Sequence, residues 1–368
     1  MLHRAARTSE PALGAEGRHL RAHPMTTCAV PMPYARSARS PQRHAVASAP
    51  MRVSFAGGGS DLPPFVEGLP GRVVGSAIGL RVRALVEPFD RGWVRLEVPV
   101  AEETTTRRSH EPPSSELAFR LLEAALARTG VTDGVKLRID TDVAPGAGLG
   151  GSASTAVAAL SALRWSVGEV TAVEELAREA TTMEREGLSI VCGAQDATFA
   201  ACGGMLDLTF GEAGCTRIER VTPEEALAAE LEAGLLLVDT RVRRVSGEVL
   251  EQVDAAAALA NVADLVESAT QVAAALREGS LGRALAGMRR SAMAKVRRAP
   301  SASALATELG HRLAGLGVEV IRACGAGGGG HVLVWAPEAR HGEILRALGP
   351  ATVRKPALSA PGVRIEPA

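Results

Sequence analysis

The sequence predicts a mixed α+β protein, and three observations carry that prediction. Runs of alternating or β-branched apolar residues (51–56, 72–86, 93–98, 135–140, 205–210, 235–239) are interleaved with segments of helical spacing. The chain has 368 residues, 46% hydrophobic and 22% charged, enough for one large or two medium cores. A glycine-rich turn, Ala-Pro-Gly-Ala-Gly-Leu-Gly-Gly-Ser over 144–152, joins a strand to a helix start.

Composition narrows the partners. Lys and Arg balance Asp and Glu at 41 each, so nothing argues for nucleic acid or an anionic membrane. Aromatics at 3% weaken a base-stacking or carbohydrate-platform reading. Five scattered cysteines form no CxxC, as expected of reduced thiols in the cytoplasm. No apolar run approaches the roughly 20 residues needed to span a bilayer.

In chain order, residues 1–47 are rich in Arg, Ala, Pro and His with no periodic apolar face. They are expected to be a disordered extension, or the product of an upstream start codon with Met25 or Met32 the true start. A transit sequence is the other option. A strand at 51–56 runs into Gly57-Gly58-Gly59-Ser60-Asp61. The β-rich stretch 72–86 is interrupted at Gly79, and 93–98 alternates like a hairpin partner. Residues 101–115 read as a polar surface loop. Leu117, Leu121, Leu122 and Ala125 share one side of a helix over 116–128. After the strand 135–140 and the glycine turn, helical spacing runs over 152–167. Thr171 with Glu174 predicts a capping box opening a helix to about Glu186. Strand 205–210 follows, and a domain boundary is expected near 211–220. Thr222-Pro223-Glu224-Glu225 predicts a capped helix start, and 235–239 a buried strand. Helices are predicted over 246–278, 281–295, 302–316 and 337–348. A strand–turn–strand spans 318–335 around glycines 325–330, and 363–365 closes a sheet edge.

The turn at 145–154 leaves N–H groups unpaired at a helix mouth, where the dipole favours an anion. It fits neither GxxxxGK[ST] nor GxGxxG, and taken alone it reads equally well as a flexible helix cap. Two further glycine segments, 57–61 and 325–330, suggest backbone approaching a polyanion. Phosphoryl transfer needs a phosphate cradle, a held metal, a carboxylate for the attacking hydroxyl and a cation for the developing charge. The chain offers 145–154, Ser152 with Glu184, Asp196 and Arg52. Each has a plainer reading: Asp196 as a helix cap, Arg52 as a surface ion pair, Glu184 on a solvated helix face. No histidine or cysteine arrangement competes for a nucleophile role.

Together, APMRVSFAGGGSD (49–61), APGAGLGGSAS (144–154), CGAQD with the Gly203-Gly204 turn (192–204) and CGAGGGG (324–330) resemble the three motifs of the GHMP small-molecule kinases. The forms RVSFAGGGSDLPPF and GAQD are most similar to the branch acting on D-glycero-D-manno-heptose 7-phosphate. The resemblance implies a two-domain α+β fold. An N-terminal ATP-binding domain (48–215) would resemble ribosomal protein S5 domain 2, and a C-terminal domain (216–368) would be ferredoxin-like. It implies ATP and Mg2+ as cofactors and Asp196 and Arg52 as catalytic residues. Pro145, Gly146, Ala147, Gly148, Leu149, Gly150, Gly151, Ser152, Ala153 and Ser154 would hold the nucleotide, with Ser152 and Glu184 on the metal. Gly58, Gly59, Ser60, Asp61, Gly327 and Gly328 would border the acceptor. Arg243 and Arg244, whose forks suit a phosphate, are candidates for gripping an acceptor phosphate. The implied activity is phosphorylation of the anomeric C1 hydroxyl of a heptose 7-phosphate-like sugar by a cytoplasmic monomer or homodimer. An octose phosphate, fucose or another free sugar is the alternative acceptor. A catalytically silent sugar and ATP sensor is the alternative from another class. One departure stands out: Val320-Ile321-Arg322 replaces the glycine–lysine approach to the third motif usual in the heptose branch.

Overall fold

A computed structural model describes residues 38–66, 69–212, 214–243, 255–349 and 352–366. Two sheets organise them. The larger runs β12-β1-β2-β5-β3-β4, with β6 also on β2 and β7 beyond it. Its spine is β2 (Gly71–Pro88), eighteen residues long. One side of β2 pairs along its length with β1 (Ala45–Ala56). The other side pairs first with β6 (Met205–Gly211) and then with β5 (Val135–Thr141). The register with β1 shifts where Pro50 faces Arg81 and Met51 faces Ile78, so the break expected at Gly79 is a bulge within one strand. Residues 73–78 are buried without alternation because helices cover both faces.

On one face lie α2 (Leu117–Thr129), α3 (Gly151–Ser166), α4 (Val173–Leu188) and the short α5 (Gln195–Cys202). On β1 and β2 from the other side pack α7 (Ala255–Arg277) and α8 (Leu281–Arg298), after α1 (Pro63–Val66) and α6 (Glu225–Gly234) in chain order. The smaller sheet, β11-β8-β10-β9, is antiparallel. It comprises β8 (Leu235–Asp239), β9 (Val320–Ala323), β10 (His331–Trp335) and β11 (Val353–Arg354). It is backed by α8, α9 (Pro300–Arg312) and α10 (His341–Leu348).

Several expectations need correction. The extension assigned to 1–47 ends earlier: Arg39 bridges Val131, and Ala45, Val46 and Ala47 already pair with β2. Residues 1–37 lie outside the described residues. The surface loop expected over 101–115 contains β4 (Glu103–Arg108), the edge partner of β3 (Trp93–Val98). The boundary expected near 211–220 falls within β7 (Gly214–Arg220), which hairpins onto β6, so the larger sheet extends past residue 215. Its last strand, β12 (Arg364–Glu366), returns to β1. The cap at Thr171 is not made. Ala172 occupies the N-cap, and the Thr171 hydroxyl accepts from Arg164 Nη1 at 2.9 Å. Likewise α6 starts after Glu224 with no side-chain cap. The helix expected from 246 is described only as α7.

Candidate active site

The turn between β5 and α3 is built for a close approach by an anion. Gly146, Gly148 and Gly150 take φ of 76°, 75° and 79°, a left-handed region that residues with a Cβ avoid. Alternating such positions turns successive N–H groups toward one side. Gly150 is the N-cap of α3 and no side chain caps the helix, so its first-turn N–H groups face outward unpaired. Ala147 and Leu149 are buried and pin the turn, while Pro145, Gly146 and Ser152 stay exposed. Ser154 is buried; its hydroxyl donates to Pro50 O at 2.8 Å and lies 3.0 Å from Gly150 O. It is part of the frame, not a free ligand group.

The third glycine segment braces this turn. His331 N donates to Ala147 O at 2.9 Å. A Cβ on Gly330 would stand 2.4 Å from Ala147 O, and one on Gly325 2.8 Å from Gly148 O. Gly327 and Gly328, expected to touch an acceptor, instead press on Ala302: Gly328 N donates to Ala302 O at 2.5 Å, and a Gly327 Cβ would lie 2.4 Å from that oxygen.

Arg52 ties the turn to the candidate acid. From β1 its backbone N donates to Leu149 O at 3.0 Å and its Nη1 to Gly148 O at 2.8 Å. Its fork then grips Asp196 in the first turn of α5, Nε to Oδ1 at 2.7 Å and Nη2 to Oδ2 at 2.6 Å. Arg52 is buried while the Asp196 side chain keeps 26% exposure, so the carboxylate is reachable from outside and the guanidinium is not. A Cβ on Gly150 would come within 3.3 Å of Asp196 Oδ2, which puts the helix mouth and the acid in contact.

Glu184 lies on the buried stripe of α4 with Leu176, Ala177, Ala180 and Met183. The Ser152 hydroxyl beside its carboxyl favours the charged form, but burial, and next the charge of Asp196, outweigh it and push its pKa up to about 8. Two acids close enough to feel each other's charge thus lie at the helix mouth, with the Ser152 hydroxyl beside Glu184. That oxygen set fits a hard divalent cation completed by ligand phosphates. Among the described residues no cluster of three His, Cys, Asp or Glu forms a closed cage.

A stability test follows. Unfolded, Glu184 releases its proton near the usual 4.5; folded, it holds the proton to about pH 8. Between those values the folded state binds more protons, so this contribution is full at low pH and lost as pH rises toward 8. Metal-free wild type should therefore lose several kcal/mol relative to Glu184→Gln from about pH 5 to 8, read by urea unfolding. Parallel curves for the two proteins would contradict a buried, proton-holding Glu184. Asp61 is raised for similar reasons and adds slope of the same sign to both proteins.

The first glycine segment forms a buried turn around Asp61. Its Oδ1 accepts from Gly59 N at 3.2 Å and Gln195 Nε2 at 2.9 Å, and its Oδ2 accepts from Gln195 N at 3.1 Å. Burial, then the charge of Asp196, raises its pKa. Ser60, expected at the acceptor, is wholly buried. Its hydroxyl bonds both ways with the backbone of Arg72, at 3.0 Å each. Gly58 and Gly59 face cations: added Cβ atoms would lie 3.0 Å from Arg322 Nη2 and 2.5 Å from Arg298 Nη2.

Arg298 belongs to a second basic cluster, Lys295, Arg297 and Arg298, that the sequence offers only weakly, because it ends a helix that would be basic in any case. Its Nη1 donates to Gly59 O at 3.0 Å and its guanidinium stands 5.8 Å from the centroid of the Phe65 ring. A signal existed, because Lys295 and Arg298 continue the inward stripe Ala284, Leu285, Met288, Ser291 of α8. Arg243, by contrast, is spent on its own acid. Its fork holds Asp239 at 2.7 Å on both oxygens and draws that carboxyl down to about 2. Arg244 lies outside the described residues.

Comparison with known proteins bears on the fold. Residues 116–204 match the family model described as GHMP kinases N terminal domain. A D-glycero-alpha-D-manno-heptose 7-phosphate kinase of Campylobacter jejuni is 28% identical over 212 residues. That match covers 55% of this chain and 61% of the relative, so about three fifths of the relative's length is spanned. A D-glycero-D-manno-heptose 1-phosphate kinase structure from Bacteriodes thetaiotaomicron superposes with a TM-score of 0.72 at 21% identity, over 88% of this chain and 99% of that one. The Lactococcus lactis galactokinase–galactose structure gives 0.69 at 14% identity, over 88% and 95%. The fold is that of the GHMP kinases.

Proposed function

We propose that this chain, which carries a GHMP kinase N-terminal domain on the GHMP kinase fold, is an ATP-dependent sugar kinase. Its acceptor is a heptose 7-phosphate-like sugar phosphorylated on the anomeric C1 hydroxyl, giving a sugar 1,7-bisphosphate and ADP. The observation that carries this reading is the contact of three parts: the uncapped mouth of α3, the Arg52–Asp196 pair, and Glu184 with Ser152. The name of the curated relative supports the acceptor class.

In this reading the turn 145–151 and the first turn of α3 hold the triphosphate through main-chain N–H groups. Asp196 aims the acceptor hydroxyl at the γ-phosphorus and takes up its proton. The hydroxyl oxygen bonds to phosphorus as the β–γ bridging P–O bond breaks and ADP leaves with the electron pair. Arg52 fixes Asp196 and lends positive charge beside the transferring group. Magnesium, held by Glu184 and Ser152, neutralises phosphate charge when bound. Asp61 and Gln195 receive acceptor hydroxyls. The division into an N-terminal nucleotide domain and a C-terminal domain near residue 215 belongs to the same proposal. So does action on small molecules in the cytoplasm. No described helix is long and apolar enough to cross a membrane.

A panel of sugars and sugar phosphates with ATP and Mg2+, read by ADP release and by 31P NMR of the product, tests it. Turnover with a heptose 7-phosphate and an anomeric phosphate resonance are expected. Turnover confined to mevalonate- or homoserine-like alcohols would refute the sugar assignment, and tight ATP binding with no turnover would favour a sensor.

A further inference from the structure

Behind the Asp61 turn sit two guanidinium groups, Arg298 and Arg322, and the amine of Lys295, none with an acid of its own. Lys295 and Arg322 are 3% and 2% exposed, and Arg298 lies at the rim. Lys295 Nζ donates to Ala323 O at 2.8 Å and also to Gly325 O. Arg322 Nη1 reaches Ser291 Oγ at 2.6 Å and Phe55 O at 3.2 Å, and its Nη2 reaches Ser54 Oγ at 3.3 Å. Among the described residues none of the three makes an ion pair with a carboxylate. Burying positive charge on carbonyls and hydroxyls alone is unfavourable, and such a site lowers its free energy by taking up an anion.

Two atoms show where that anion enters. Arg298 Nε is buried with no hydrogen-bond partner, and so is Gln195 Oε1. Gln195 Nε2 is fixed on Asp61, which turns Oε1 toward Gly58, 3.6 Å from where that residue's Cβ would be. A Cβ on Gly58 would press on Ser54 Oγ and Arg322 Nη2, and one on Gly59 on the Arg298 guanidinium, so the lack of side chains lets Gln195, Arg322 and Arg298 converge on this turn. The polar contact of Arg298 is with Gly59, whereas Arg52 reaches the phosphate turn at Gly148 O. A ligand matching this arrangement brings hydroxyl donors to Gln195 Oε1 and Asp61, and a phosphate to Arg298.

We propose that Arg298, with the buried Arg322 guanidinium behind it, receives the phosphate already carried by the acceptor and so selects phosphorylated sugars over free ones. This rests on the acceptor site lying at Asp61, as in the function proposed above. Arg298 takes the place expected of Arg243, whose fork Asp239 occupies.

The test is calorimetric titration, without ATP, of a heptose 7-phosphate and of the same heptose without its phosphate into wild type, Arg298→Gln and Arg298→Lys. Steady-state kinetics run alongside. Wild type should favour the phosphorylated sugar. Arg298→Gln should weaken its binding and raise its KM about 30-fold or more, leaving the free sugar and the KM for ATP unchanged. Arg298→Lys should retain part of the preference. An intact preference in Arg298→Gln overturns the assignment, as does a rise confined to the KM for ATP. Normal ADP release with equal binding of both sugars defeats the inference alone. Absent ADP release with a clear, Arg298-dependent preference for the phosphorylated sugar defeats the kinase reading alone.

Discussion

Exchanging Asp196 for Asn should lower kcat about a thousandfold or more while ATP binding stays within about threefold of wild type. Asparagine keeps the shape and can still accept from Arg52, but it cannot take the proton of the acceptor hydroxyl. It also strips the counter-charge from a buried guanidinium held at 2.6 and 2.7 Å. Arg52 keeps its bonds to Gly148 and through its backbone to Leu149, so the phosphate turn should hold its form. Single-turnover kinetics with a nucleotide-binding titration separate the outcomes. Loss of nucleotide affinity in step with turnover would mean that Asp196 shapes the turn and does not serve the transfer.

Glu184→Gln should cut kcat about a hundredfold and raise the Mg2+ concentration needed for half-maximal rate. The amide keeps a neutral oxygen beside Ser152 but offers no negative charge to a cation. Full activity at millimolar Mg2+ would remove Glu184 from the metal. This substitution moves stability the other way: near pH 8 the variant should unfold at higher urea than wild type, because the buried proton-holding acid is gone. A less active yet more stable protein is the mark of a strained functional group, whereas a framework residue would lower both.

The sequence makes the centre of this site legible because its chemistry is largely backbone chemistry. Glycines 146, 148 and 150 are needed for their positive φ, and that need is visible in the residue type itself. Asp196 is legible through its position after Gln195 and before the Gly203-Gly204 turn. Glu184 carried a signal as an acid on the apolar stripe of α4. What sequence hides is the competition for partners. Ser60, Ser154 and Arg243 have the right chemistry for a ligand but are claimed by Arg72, Pro50 and Asp239. Thr171 looked like a cap until Arg164 took its hydroxyl. Strand β4 escaped because an edge strand packs almost nothing; its Thr and Arg side chains are mostly exposed and show no apolar alternation. Arg298 was masked by a helix end that is basic in any case, and its contacts with Gly59 and Phe65 set it apart from Arg297, which pairs with Asp264.

Strand β12 settles when folding can finish. Ser48 near the start of β1 hydrogen-bonds Glu366, 318 positions later. Arg81 Nη1 donates to Pro361 O and its Nη2 to Gly362 O, both at 2.9 Å. During translation the flank of β1 therefore stays unpaired until the ribosome has delivered nearly all of the segment described, a bare strand margin open to neighbouring nascent chains. Expression yield should then hinge on chaperone supply late in the synthesis of this segment.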